Sequence, residues 1–250
     1  MSDEIAQFPV LNLPPELEKF LTPSPTQYID WARTMLGSEV GFIRDYIEST
    51  SSAFEIAFDA FDAKLAAAAE KLPEDMRYDL FEDESMTAFN LMDHFPAFTW
   101  LTTFVSIYSF LEDKMLDLAA TLGRQLGIKL SPEDLRHSGI FSAKVYFTAL
   151  CGISFPDEKH PWQEIQHYNR IRNAIVHSRG RLIRDKHVKA IRNYAQGKTT
   201  IVIENDHIKL SKEFCLSVLE NANELLGELM ELARAKIEER EAAKVATASS

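Results

Sequence analysis

Trp162-Gln-Glu-Ile-Gln-His-Tyr-Asn-Arg-Ile-Arg-Asn-Ala-Ile-Val-His-Ser-Arg-Gly180 is the stretch that decides the fold of this chain. At ~100° per residue, Trp162, Ile165, Tyr168, Ile171 and Ile175 fall on one apolar stripe, so the segment reads as an amphipathic helix seated on a core. Gly180 closes it. Arg172 sits at the edge of the stripe. Asn173 and His177, four residues apart, share a row roughly 100–140° from Arg172, so the three cannot chelate one atom but can line two sides of a groove. An arginine, an amide and a histidine facing a cleft supply a stabiliser of phosphate charge, an orienting group and a group that titrates near neutral pH.

Outward from this helix the punctuation is helical nearly throughout. Ser24-Pro25-Thr26-Gln27 combines an N-cap, a proline at the first helical position and a capping-box glutamine. The helix it opens, with Phe54, Phe58, Phe61 and Leu65 at helical spacing, should reach about Leu72 before Pro73 stops it. The acidic stretch from Glu74 to Glu84 reads as a turn or short helix. Pro96 marks the start of a long helix to about Leu126, before Gly127. Ser131-Pro132-Glu133-Asp134 repeats the start signal, and its helix should run to about Cys151. A loop from Gly152 to Pro161, a short basic helix over 182–195, and a hairpin of 199–203 and 207–210 about Glu204-Asn205-Asp206 follow. Ser211 caps a last helix to about Glu241. There is no internal repeat. The expectation is an all-α helical bundle with long N-terminal helices and one small β-hairpin near residues 199–210. Along the chain it reads as an extended arm (1–23), an N-terminal helical segment (24–90), a main helical domain (91–241) and a tail (242–250).

Composition narrows the function classes. The 250 residues, 46% of them apolar, suffice for a real core, and 19 Gly and Pro exclude collagen-like and wholly disordered chains. Cys151 and Cys215 form no C-x-x-C, so neither a disulfide framework nor a zinc knuckle is expected. The N-terminus lacks the basic region and apolar run of a signal peptide, and a reduced, cytoplasmic protein is expected. His94 to Leu111 is free of formal charge for 18 residues. Its proline, threonines, serines and Tyr108 mark it as a buried core helix rather than a membrane span. The net charge of −11 argues against a general nucleic-acid coat protein. Between Lys159 and Lys198 the balance reverses: ten Lys/Arg stand against Glu164 and Asp185, a local +8 that leaves −19 on the rest. An acidic body with one basic strip can bind an anion at one place while its other surfaces repel it.

Arg172-Asn173-Ala-Ile-Val-His177 resembles the R-x4-6-H motif, in its Arg-Asn-x-x-x-His form, of the HEPN superfamily. The context is similar too: Trp162 ten residues upstream, Ser-Arg-Gly following, and a preceding long helix with Tyr108-Ser-Phe-Leu-Glu112. The helical likeness spans residues 95 to 235. The resemblance implies a cytoplasmic bundle that dimerises so that two motifs face each other across a composite site. It implies a metal-independent endoribonuclease that needs no cofactor, often a prokaryotic toxin or antiviral defence effector held by a protein inhibitor or antitoxin. His177 would be the general acid/base for attack of an RNA 2′-OH on the adjacent phosphorus, Arg172 would stabilise phosphoryl charge, and Asn173 would orient one of them. Products would carry 2′,3′-cyclic phosphate and 5′-OH ends.

The resemblance also suggests Glu112 as an acidic residue facing the motif, since an arginine against a core wants a carboxylate; a surface acid is the other reading. Arg170, Arg179, Arg181 and Arg184 are candidates to hold the RNA backbone or simply face solvent. Tyr168 reads as core. His160, His167 and His187 read as solvated members of the basic strip, with no third ligand for a metal. Where the branch modified by a nucleotidyltransferase antitoxin has His-x-Tyr, this chain has Arg179, which argues against that control. Two alternatives stay open: a non-catalytic HEPN module that binds RNA, a nucleotide or a partner protein, and a structural helical protein in which the motif is coincidence. The first 90 residues fit an extra dimer arm, a sensor or part of the same bundle.

Overall fold

A helix that carries no charge until Glu112 forms the axis of the molecule. The computed structural model describes residues 25–183 and 186–248. The elements are α1 (Pro25–Ala69), α2 (Glu74–Phe89), the axial α3 (Phe95–Leu126), α4 (Ile140–Val145), α5 (His160–Ser178), α6 (Val188–Ala195), β1 (Ile201–Glu204), β2 (His207–Leu210) and α7 (Lys212–Ala248). The architecture is all-α with one antiparallel hairpin, in which Ile201 faces Leu210 and Glu204 faces His207. Asn205 and Asp206 take positive φ of 48° and 63°, which turns the hairpin between two short strands. No described helix is long and apolar enough to cross a membrane.

One broad face of the axis is buried, because its apolar positions recur there at helical spacing, while Thr102, Ser106, Ser109, Asp113 and Asp117 line an exposed face. Trp100, Phe104, Ile107, Tyr108, Leu111, Met115 and Leu122 are all buried, each contributing about 1.5–3 kcal/mol if fully removed from water. The N-terminal half of α1, α5 and α7 pack around it, and Ile29, Leu36, Val40 and Ile47 of α1 belong to the same core. The core therefore does not divide at residue 90. Ion pairs bind α1 along α7, with Asp30 on Arg234 at 2.9 Å, Glu48 on Lys212 at 3.2 Å and Arg44 on Glu220 at 2.5 Å.

Several local expectations change in the fold. Of the two readings of the acidic stretch the helix holds, and it extends to 16 residues, Glu74–Phe89. Pro96 stands in the first turn of α3, as expected, but no break precedes it: α2 runs into α3 through one π turn, Asn90–His94, in which the Phe95 N–H reaches back to Asn90 O. The widened turn accommodates the donor that Pro96 lacks. The capping box at Ser131 forms, with its N–H 2.7 Å from Asp134 Oδ2, but it closes only a 3₁₀ turn at Pro132–Asp134. Leu135 then returns to extended backbone, and α4 starts at Ile140, after Gly139 at φ 62°. The last helix continues past Glu241 to Ala248. The basic helix begins only at Val188, and residues 184–185, including Arg184, lie outside the described residues.

The end of α5 also departs from expectation, because the left-handed cap falls on Arg179 (φ 52°) before Gly180 follows at φ 75°. A side chain in that region costs about 1–2 kcal/mol that glycine avoids, less glycine's own chain-entropy loss. Arg179→Gly is therefore expected to stabilise the fold by about 1 kcal/mol, read as a raised urea midpoint with unchanged slope.

Candidate functional site

Tyr108 is the last aromatic on the buried side of α3 before the acidic half begins, and its hydroxyl, being buried, needs a partner. It donates to Asn169 Oδ1 on α5 at 2.9 Å. Burial is the main reason its phenol is pushed far above the ordinary value; nearby Glu112 adds to this and Arg172 opposes it. The ring is in turn a platform, with the Arg172 guanidinium carbon 5.7 Å from its centroid. Arg172 Nη1 donates to Asn173 Oδ1 at 3.2 Å, so the guanidinium is drawn toward the Asn173–His177 row. Its Nε is buried and has no hydrogen-bond partner among the described residues. A buried, incompletely satisfied guanidinium N–H is a costly arrangement that an anionic ligand would relieve.

His177 is exposed at the end of α5, one turn beyond Asn173. The site therefore has a half-buried arginine on one side, an exposed histidine on the other and Asn173 between. Glu112, half-buried one turn beyond Tyr108, makes no ion pair with Arg172 within 4.0 Å among the described residues. Its carboxylate packs against Gly139, where an added Cβ would lie 3.0 Å from both Cδ and Oε2. Glu112 therefore acts on this centre through its field and through the seating of the turn before α4.

The basic strip sorts into paired and free cations. Lys159 is paired with Glu228 at 2.6 Å, Lys198 with Glu164 at 3.6 Å, and Arg192 with Asp206. Arg179, Arg181, Lys186 and Lys189 are exposed and have no carboxylate within 4.0 Å among the described residues. The segment carrying the first two is held against the hairpin by the Leu182 N–H on Asp206 O (2.8 Å) and the Ile208 N–H on Gly180 O (3.0 Å). The free positive charge thus gathers just past His177. Arg170 lies elsewhere, with Nη1 3.3 Å from His167 Nδ1.

That contact corrects the reading of His167 as a solvated basic residue. It is half-buried and stacked on Tyr194, with centroids 4.5 Å apart. Tyr194 donates to Glu164, and the Lys198 ammonium sits 3.6 Å from the centre of the Tyr194 ring. Tyr168 is core as expected, its hydroxyl accepting from Asn221 Nδ2 at 2.8 Å. Burial pushes the Cys151 thiol up to about 11 and Cys215 up to about 12, so neither is a thiolate at neutral pH. Asn169, Glu164 and Tyr194 escaped the sequence reading. Asn169 had a signal, since it stands four residues before Asn173 on the same row.

Burial, then Arg170 and Lys198, lower the His167 pKa below its ordinary 6.5, against the pull of Glu164. The neutral ring stabilises the fold above that ordinary value, and the contribution is lost as pH falls through the depressed folded value. His167→Phe keeps the stacking on Tyr194 without the titration. The wild type is expected to lose more of its thermal midpoint than this variant between about pH 7.5 and about pH 5; parallel losses would remove His167 as the titrating group.

The chain matches no protein family, curated protein or solved structure with which it was compared.

Proposed function

We propose that the chain is a metal-independent endoribonuclease of HEPN type, acting at the end of α5. The observation that carries this reading is the half-buried Arg172 guanidinium on Tyr108, beside Asn173 and exposed His177, with cations past the helix end that have no carboxylate within 4.0 Å among the described residues. Arg179, Arg181, Lys186 and Lys189 hold the RNA backbone as point charges and forks. The negative end of the α5 dipole repels phosphate, so the side chains themselves must supply the attraction.

In the reaction, the His177 imidazole takes the proton of a 2′-OH as that oxygen bonds to the adjacent phosphorus. The P–O5′ bond then breaks, and the departing oxygen takes a proton from an imidazolium. A second copy of the chain, facing the first, supplies another His177, so that one imidazole acts as base while the other acts as acid. Arg172 stabilises charge on the non-bridging oxygens, and Asn173 fixes its direction. The products are a 2′,3′-cyclic phosphate and a 5′-OH. Positioned acid/base catalysis of this kind contributes about 10²–10⁴-fold and a preorganised charge stabiliser about 10²–10³-fold. An enzyme of this type in the cytoplasm fits a toxin or defence role under a protein inhibitor, in line with the resemblance.

The test is cleavage of a labelled single-stranded RNA in EDTA, with end-group analysis. Cleavage should leave cyclic phosphate, spare DNA, and fall at least about 100-fold in His177→Ala and Arg172→Ala, with Arg172→Lys recovering little. The exposed His177 side chain makes its removal neutral for folding. RNA cleavage that persists in His177→Ala, or that EDTA abolishes, would overturn the mechanism. Light scattering should show a dimer, and a strict monomer would remove the composite site.

A further inference from the structure

Residues 51–92 carry ten carboxylates against three cations, a net −7 at the opposite charge extreme from the basic strip. They comprise the second half of α1, α2 and the start of the π turn. The ion pairs joining α1 to α3 and α7 end at Glu48, and Ile47 is the last fully buried α1 side chain before Ala69. Phe54, whose ring meets Trp100 edge-on at 6.3 Å, is the final anchor. Beyond it α1 and α2 pack on each other, with Phe58, Phe61, Leu65, Leu80 and Ala88 half-buried. No residue of α2 is buried.

This hairpin leaves a second apolar row in water. Tyr78, Phe81, Phe89 and Met92 recur at helical spacing on one side of α2 and its π turn, with Tyr78 72% and Met92 63% exposed. At ~100° per residue, Asp75 and Glu82 lie within about 60° of that row. Exposed aromatic and methionine side chains in a contiguous row, edged by like charge, are the features of a docking face rather than of a solvated one.

We propose that residues 51–92 form a docking site for a cationic polypeptide helix, whose apolar side chains pack on Tyr78, Phe81, Phe89 and Met92 while its Lys/Arg edges meet the carboxylates. Charge selects this occupant. A second copy would bring two hairpins of −7 together, and RNA carries the hairpin's own sign. The site is separate from the α5 centre, so the proposal stands whether or not the chain cleaves RNA.

The probe is an amphipathic Leu/Lys peptide of about 18 residues, long enough to cover α2 at 1.5 Å per residue, titrated calorimetrically into the full chain. The controls are the same peptide with every leucine replaced by serine, and the variant Tyr78→Ser/Phe81→Ser/Phe89→Ser. That variant should retain its helical circular dichroism because the three side chains are exposed. Binding to wild type is expected, weakened at least about tenfold in the variant and lost with the serine peptide. Equal binding to both proteins, or equal binding of both peptides, would reduce the effect to bulk charge and overturn the site. Self-association of the chain that the triple variant abolishes would assign the face to a second copy and overturn the proposed occupant.

Discussion

The burial of the charge-free half of α3 is the constraint on which the molecule depends. A helix with so broad an apolar face must have that face covered, and α1, α5 and α7 pack over it. The same constraint creates the candidate centre. Tyr108 is buried with the rest, yet its hydroxyl and π face are polar features that the core has to satisfy. Asn169 Oδ1 accepts the hydroxyl's hydrogen bond and Arg172 lies on the ring. The guanidinium is therefore positioned by the packing of the axis and not by a loop, which is the kind of rigid support that a charge-stabilising group requires.

Electrostatics divides the rest of the surface into three territories. Along the α1–α7 seam, charges alternate and neutralise one another, and exposed pairs of this kind contribute at most about 1 kcal/mol each. Past the end of α5, Arg179, Arg181, Lys186 and Lys189 gather with no carboxylate within 4.0 Å among the described residues. On the hairpin of α1 and α2, carboxylates outnumber cations ten to three. A net charge averaged over the chain describes none of the three. The chain is organised as a neutral clasp between a positive and a negative pole, and each pole selects against what the other attracts.

Much of this was legible in the sequence because the decisive signals are local. The apolar stripe of Trp162, Ile165, Tyr168 and Ile171, the hairpin at Asn205-Asp206 and the Ser211 cap, whose Oγ accepts the Phe214 N–H at 3.3 Å, depend on neighbours within a few residues. Arg172, Asn173 and His177 were nameable for the same reason. What escaped depends on distant chain. Nothing near His167 announces Tyr194, which reaches it only because α6 folds back onto α5. Pro96 marks the first turn of α3 as its local signals say, yet nothing local shows that α2 runs on into it by way of a widened turn. At Ser131 the start signal is satisfied within one turn. Buried Pro132, whose carbonyl accepts from Ser142 Oγ, then fixes the chain in a different direction.

The clasp between α1 and α7 joins residues separated by 164 to 204 positions in the chain. On a ribosome adding about 5–20 residues per second, α1 therefore waits roughly ten to forty seconds for its partner to emerge. During that interval Ile29, Leu36, Val40 and Ile47 have no α7 to complete the bundle around them, and the cost of closing so long a loop falls at the end of synthesis. The nascent chain is thus a client for whatever shields apolar helices as they leave the exit tunnel. A truncated product that stops before Lys212 lacks the strap that holds its own N-terminal helix, and proteolysis is its expected fate.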